Sequence, residues 1–148
     1  MLYYLCLGAN LGDREQTIRQ AVQLIEQQIG HVLRCSSFYY SEPWGFTSQH
    51  SFCNLCCALQ TPKQPLEVLS LTQSIERALG RNQKSGIRNQ KAVYEDRPID
   101  IDLIRAFDDD GKEIICYITK DQSPILTLPH PLWEQRDFVK VPLEQIIL

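Results

Sequence analysis

The chain has 148 residues, 43% of them hydrophobic and 22% charged, which fits one compact unit and excludes disordered, coiled-coil and low-complexity classes. Fifteen Lys plus Arg against eighteen Asp plus Glu leave a net charge of −3, too acidic for a protein whose main partner is a nucleic-acid backbone. No apolar run approaches the roughly 20 residues of a membrane span, and Met1 to Gly8 carries no basic flank or cleavage-site pattern. Secretion and membrane insertion are therefore not expected, and the expected location is cytoplasmic.

In chain order, Leu2 to Leu7 is an apolar strand that runs into Gly8, Ala9, Asn10, Leu11 and Gly12, which is turn chemistry. Asp13 with Gln16 three residues on makes a capping-box pattern. Ile18, Ala21, Val22, Ile25 and Ile29 follow at helical spacing until Gly30 supplies a stop. Val32 to Ser41 is rich in β-branched and aromatic residues, Glu42 to Gly45 reads as loop, and Phe52 to Leu59 reads as another strand. Pro65 opens a second helix with Val68, Leu71, Thr72, Ile75, Ala78 and Leu79 on one face, closed by Gly80. Ile99, Ile101 and Leu103 alternate with Asp100 and Asp102 in a further strand. Phe107 to Glu113 holds an Asp-Gly hairpin signal before the apolar run Ile114 to Ile118, and the remainder is punctuated by prolines. The order predicts an α+β fold: a ferredoxin-like β-α-β-β-α-β antiparallel sheet in one domain over 1–148, with both helices on one face and a C-terminal hairpin extension. The other sheet face is expected to be free for a ligand.

Six cysteines in a chain without export signals predict reduced thiols. Cys53 and Cys56 form a C-x-x-C, but strand alternation places them on opposite faces and no second ligand pair follows at zinc spacing, so they are expected to pack as small hydrophobes.

The sharpest chemical signal is Asp100-Ile101-Asp102. Residues two apart on a strand share a face roughly 6–7 Å apart, where two carboxylates repel by roughly 2–3 kcal/mol at an effective dielectric near 20, a cost that a bound divalent cation reverses. Hard oxygen donors beside a phosphate suit Mg²⁺; an exposed, solvated acidic strand face is the alternative. The neighbourhood favours the metal. Between residues 81 and 97, Arg81, Lys84, Arg88, Lys91 and Arg97 outweigh Glu95 and Asp96, a local charge of +3 on a protein that carries −6 elsewhere. Such a segment suits a small polyanion. No Walker A sequence is present, so phosphates are expected to be gripped by side chains. Gln73 and Glu76, at i and i+3, are expected to share the polar rim of the second helix and to face a nucleotide or water. Asn54 and Phe52 share a strand face, equipment for a flat heterocycle with donor and acceptor edges, with Trp44 in the preceding loop as a cover. His130 and Arg136 add a phosphate-capable pair and Phe138 another ring, whereas His31 and His50 read as surface positions. Asp108-Asp109-Asp110-Gly111 lacks the ligand spacing of a calcium loop and reads as a hairpin turn.

Six separated motifs, in order, resemble one family over essentially the whole chain: LGANLGD (Leu7 to Asp13), SSFYYSEPWG (Ser36 to Gly45), FCN (Phe52 to Asn54), QSIE with GR (Gln73 to Glu76, Gly80, Arg81), DRPIDIDL (Asp96 to Leu103) and LPHPLWEQRDF (Leu128 to Phe138). The chain is similar to the 6-hydroxymethyl-7,8-dihydropterin pyrophosphokinases of folate biosynthesis. The resemblance implies transfer of the β,γ-pyrophosphoryl group of ATP to the hydroxymethyl oxygen of the pterin, leaving AMP, with two Mg²⁺ ions. It implies that Asp100 and Asp102 bind metal and that Arg97 and Arg81 are catalytic cations. Gln73, Glu76, Arg81, Arg97, His130 and Arg136 would then contact ATP, and Ser41, Trp44, Phe52, Asn54 and Phe138 the pterin. Where the family commonly has a second loop arginine, this chain has Gln83, with Lys84, Arg88 and Lys91 nearby. A mobile loop between Arg81 and Tyr94 is expected to close over ATP.

The expected partners are ATP and the hydroxymethylpterin, with no nucleic acid and no membrane, and the expected state is a monomer. A different class, a ferredoxin-like nucleotide or metabolite sensor without chemistry, would not require Asp100 and Asp102 beside Arg97.

Overall fold

The computed structural model describes residues 1–41, 51–80 and 98–148. Strand β1 (Leu2–Ala9) leads into α1 (Arg14–Gln28), then β2 (His31–Cys35), β3 (Tyr39–Ser41), β4 (Phe52–Gln60), α2 (Pro65–Ala78), β5 (Asp100–Phe107), the hairpin β6 (Cys116–Lys120) and β7 (Ser123–Leu128), and finally α3 (Asp137–Glu144). The main sheet has the order β2-β4-β1-β5, with β3 also paired to β4, and every pair is antiparallel. This is the expected β-α-β-β-α-β order with its second strand divided into β2 and β3, both paired to β4.

Local chemistry places the helices where the periodicity puts them. The Asp13 carboxylate caps α1 by accepting the Gln16 N–H at 3.2 Å, which satisfies one of the donors orphaned at a helix start. Pro65 occupies the first turn of α2, and Gly80, at φ +100°, follows its end in the left-handed region that glycine reaches at no steric cost. Asp108 accepts the N–H groups of Asp110 and Lys112 at 2.9 Å each, with Gly111 at φ +82°, so the acidic run is a hairpin turn, as expected.

β1 and β4 are buried along nearly their whole lengths because both sheet faces are covered. On one face Leu5, Leu7, Leu55, Leu59, Ile101 and Leu103 pack with Ile18 and Ile25 of α1 and Val68 and Ile75 of α2. On the other, Tyr4, Cys6, Cys56, Ala58 and Ile104 pack with Val139 and Leu143 of α3 and with Ile146. Cys53 belongs to the first cluster and Cys56 to the second, the opposite facing that alternation requires. No described helix is long and apolar enough to cross a membrane.

Four expectations need correction. The second face is not free: α3 covers half of it, and only the end carrying Gly8, Asn54, Phe52, Asp100 and Asp102 lies beyond that helix. The proline-punctuated end therefore contains a helix, with Pro142 in its interior. Proline has no N–H for the carbonyl four residues back, and that carbonyl, Phe138 O, accepts from Cys6 Sγ at 3.9 Å instead. The segment expected as one strand from Val32 to Ser41 is two, broken where Ser36 donates its N–H to Cys56 O at 2.8 Å and accepts the Cys56 N–H on its own hydroxyl at 2.9 Å. Gly8 and Ala9, read as a turn, are the last residues of β1.

Candidate active site

The site forms where three strands end side by side. In the β1–β4 ladder Gly8 stands opposite Asn54, and in the β1–β5 ladder it stands opposite Asp100. The row Asn54–Gly8–Asp100 crosses three strands, so its outer Cα atoms lie about 10 Å apart at the usual strand spacing. Nothing projects between them, because the central residue has no side chain. A Cβ on Gly8 would meet Asn54 Oδ1 at 2.9 Å and Phe52 Cδ1 at 3.7 Å. The amide and the ring therefore lie over the glycine, on the face that also carries Asp100 and Asp102. Sequence reasoning missed Gly8 as a site residue; the available signal was a glycine at the end of an otherwise apolar strand, the position where another group comes close.

Asn54 is buried and held from one side: its Nδ2 donates to Tyr39 O at 3.3 Å and to Ser41 Oγ at 3.0 Å. With both donors directed into β3, its Oδ1 is turned over Gly8 as an acceptor. Ser41 stands opposite Phe52 in the β3–β4 ladder. These three expected pterin contacts are together in the structure.

Asp100 and Asp102 are half-buried, with Ile101 between them turned into the core. Glu76 departs from expectation here. It does not share a polar rim with the exposed Gln73; it is buried, and its carboxylate accepts the Ile101 N–H at 2.7 Å. A buried carboxylate from α2 thus grips the backbone between the two aspartates. Two oxygen-donor side chains on one face fit a hard divalent cation that takes its remaining ligands from phosphates and water. No group of three or more His, Cys, Asp or Glu side chains clusters for a metal among the described residues.

Beside the acids, a cavity of about 240 Å³ is lined by Asp102, Leu69, Ile125, Leu126 and His130, between α2, β5 and the β6–β7 hairpin. His130 is fixed by its backbone N–H, which donates to Ile104 O at 2.8 Å, and its Nδ1 accepts the Leu132 N–H at 3.3 Å. That bond leaves the ring proton of the neutral form on Nε2. Burial and the nearby Arg136 charge lower the His130 pKa, against the pull of Asp100, so the ring is a neutral donor at pH 7. Arg136 is buried, with its guanidinium 5.7 Å from the Phe138 ring centre, a cation–π distance. Trp44, Arg81 and Arg97, together with the loop expected to close over ATP, lie outside the described residues.

A pair of aspartates, a buried amide beside an aromatic ring and a neutral imidazole stand near one end of the sheet of an α+β fold. Comparison with known proteins narrows this class. Residues 4–148 match the model of the 7,8-dihydro-6-hydroxymethylpterin-pyrophosphokinase family, and the chain belongs to that family. It is 44% identical to the 2-amino-4-hydroxy-6-hydroxymethyldihydropteridine pyrophosphokinase of Porphyromonas gingivalis, over 98% of this chain and 90% of the relative. To the enzymes of the same name in Bacillus subtilis and Aquifex aeolicus it is 35% and 32% identical, over 97% of this chain in each case and 76% and 78% of those proteins. A crystal structure of HPPK-DHPS in complex with substrates aligns with 99% of this chain at a TM-score of 0.65 and 16% identity, a likeness of fold. This chain spans 40% of that longer one. A sensor without chemistry is not favoured by these relatives.

Proposed function

We propose that the end of the sheet around Gly8 transfers diphosphate from ATP to the hydroxymethyl group of 6-hydroxymethyl-7,8-dihydropterin, the reaction of the family, giving AMP and the pterin diphosphate. The observation that supports this reading is the Asn54–Gly8–Asp100 row, in which an amide and a carboxylate share one face with only a glycine between them.

In this reading Asn54 Oδ1 accepts from the donor edge of the pterin, Ser41 keeps the amide turned, and Phe52 and Phe138 take the ring faces, with Trp44 as a cover. Asp100 and Asp102 would hold the divalent metal beside the triphosphate; Glu76 acts by fixing the strand between them, and Gln73 lies at the nucleotide's edge. His130 donates from Nε2 to a phosphate oxygen, with Arg136 alongside and Arg81 and Arg97 supplying further positive charge. Two Mg²⁺ ions, when bound, would neutralise charge on the phosphate oxygens. The hydroxymethyl oxygen attacks the β-phosphorus in line, an O–P bond forms, the bond from that phosphorus to the bridging oxygen of AMP breaks, and the hydroxyl proton leaves to solvent. Positioning and electrostatic stabilisation supply most of the rate.

One pyrophosphokinase domain working as a cytoplasmic monomer completes the proposal. Six free cysteines, four of them buried, suit a reducing compartment. Incubation of the protein with Mg²⁺, ATP and the reduced hydroxymethylpterin, followed by nucleotide analysis, tests the assignment: AMP is expected, whereas ADP would mean transfer of a single phosphoryl group.

A further inference from the structure

Behind the pterin-reading end lies a cluster that the mechanism does not use. Tyr40 stands opposite Cys53 in the β3–β4 ladder, so its ring projects to the face of α1, away from Ser41, Phe52 and Asn54. There the Arg14 guanidinium lies 5.4 Å from the Tyr40 ring centre, and the Tyr40 hydroxyl donates to the Glu15 carboxylate. The same Arg14 Nη1 donates to both the carbonyl and the hydroxyl of Ser51, at 2.8 Å each. The first two residues of α1 thus hold the strand that ends in Ser41 and the residue that immediately precedes Phe52.

The clamp answers a need. β3 has only three residues and sits at the sheet edge, where so short a ladder is weakly specified. Yet Ser41 Oγ and Tyr39 O are the acceptors that orient Asn54. We infer that Arg14 is a positioning residue for the pterin: it touches no substrate, but through Tyr40 and Ser51 it fixes the Ser41–Phe52 pair and so the direction in which Asn54 presents its acceptor. The inference rests on the functional reading above.

Equilibrium binding of the reduced hydroxymethylpterin and of a non-hydrolysable ATP analogue tests it, alongside steady-state turnover. Arg14→Met keeps the stem and removes the donor; pterin binding is expected to weaken about tenfold, the scale of a hydrogen bond from a charged donor, with ATP-analogue affinity within about twofold. Since one nitrogen makes both Ser51 contacts, Arg14→Lys is expected to restore pterin affinity to within about threefold. Tyr40→Leu, which removes the ring and the hydroxyl, is expected to weaken the pterin as Arg14→Met does, and the double variant to show less than the sum of the two. Wild-type pterin affinity in Arg14→Met, equal losses for both ligands, or no recovery with lysine would each overturn the assignment to Arg14 while leaving wild-type AMP formation intact. A wild-type protein that binds no pterin would overturn the functional reading itself and the inference with it.

Discussion

Two stretches of one sheet face, a single step apart along the same strands, differ in their side chains and in what covers them. At one, Cys6, Cys56 and Ile104 are sealed under Val139, Leu143 and Ile146; at the other, Gly8, Asn54 and Asp100 form a row beyond α3. Cys6 and Cys56 stand opposite each other in the ladder that also pairs Gly8 with Asn54, whereas on β5 the residue opposite Cys6 is Asp102 and Ile104 lies at the register shift between Tyr4 and Leu5. The side chains differ too: apolar groups under the helix, a glycine flanked by an amide and a carboxylate at the candidate site. Strands shared with a packed core carry the side chains of the candidate site, the arrangement that holds geometry best.

Substitutions at each stretch break or sharpen that contrast. The largest effect is expected at the acid pair. Asp100→Asn with Asp102→Asn should lower single-turnover AMP formation by about 10³-fold or more, the scale of electrostatic stabilisation in phosphoryl transfer, with the thermal midpoint retained; undiminished Mg²⁺-dependent turnover would remove the pair from the mechanism. Under the helix the order reverses. Leu143 is fully buried, and Leu143→Ala should cost about 2–5 kcal/mol in urea unfolding while leaving the KM for pterin within about twofold of wild type.

Gly8→Ala comes next. Its Cβ would displace Asn54 Oδ1 from 2.9 Å, so the KM for pterin should rise about 10- to 100-fold, the cost of a misplaced contact, with little change in the urea midpoint. A large stability loss without a KM change would mean that the glycine serves packing alone.

The smallest effect is expected at the far end of β5, where Arg105 donates to Glu113 through Nε at 2.8 Å and Nη2 at 2.9 Å. That bidentate contact lowers the Glu113 pKa. A folded-state value below the unfolded one contributes stability that is complete above the unfolded carboxyl value of about 4.3 and is lost as pH falls through the folded value. Both side chains are about one-quarter exposed, so the difference between wild type and Glu113→Gln should stay under about 1 kcal/mol at pH 7 and vanish in strong acid, measured by urea unfolding across pH.

Much of this is legible in the sequence. Both helices follow from their 3.6-residue spacing and their caps, and the shared face of Asp100 and Asp102 from strand alternation. The opposed facing of Cys53 and Cys56 has the same origin. α3 was not legible: it has eight residues with Pro142 among them, too short to form alone, and exists because Val139, Leu143 and Ile146 bury themselves on Cys6, Cys56 and Ile104. Glu76 misled for a related reason. Helical spacing to Gln73 suggests a polar rim, but the buried carboxylate accepts the Ile101 N–H of an adjoining strand, and no local pattern encodes that partner.

What the order of residues determined on its own is whatever depends on neighbours within a turn or a strand: the periodic faces, the caps, the acid pair and the six motifs that mark the family. Only tertiary structure decided which half of the open sheet face α3 would close, that Gly8 would lie between Asn54 and Asp100, and that Arg14 would reach Ser51 from behind. Each of these joins residues dozens of positions apart, and such contacts arise from how whole elements pack, where burial and steric fit outweigh local preference.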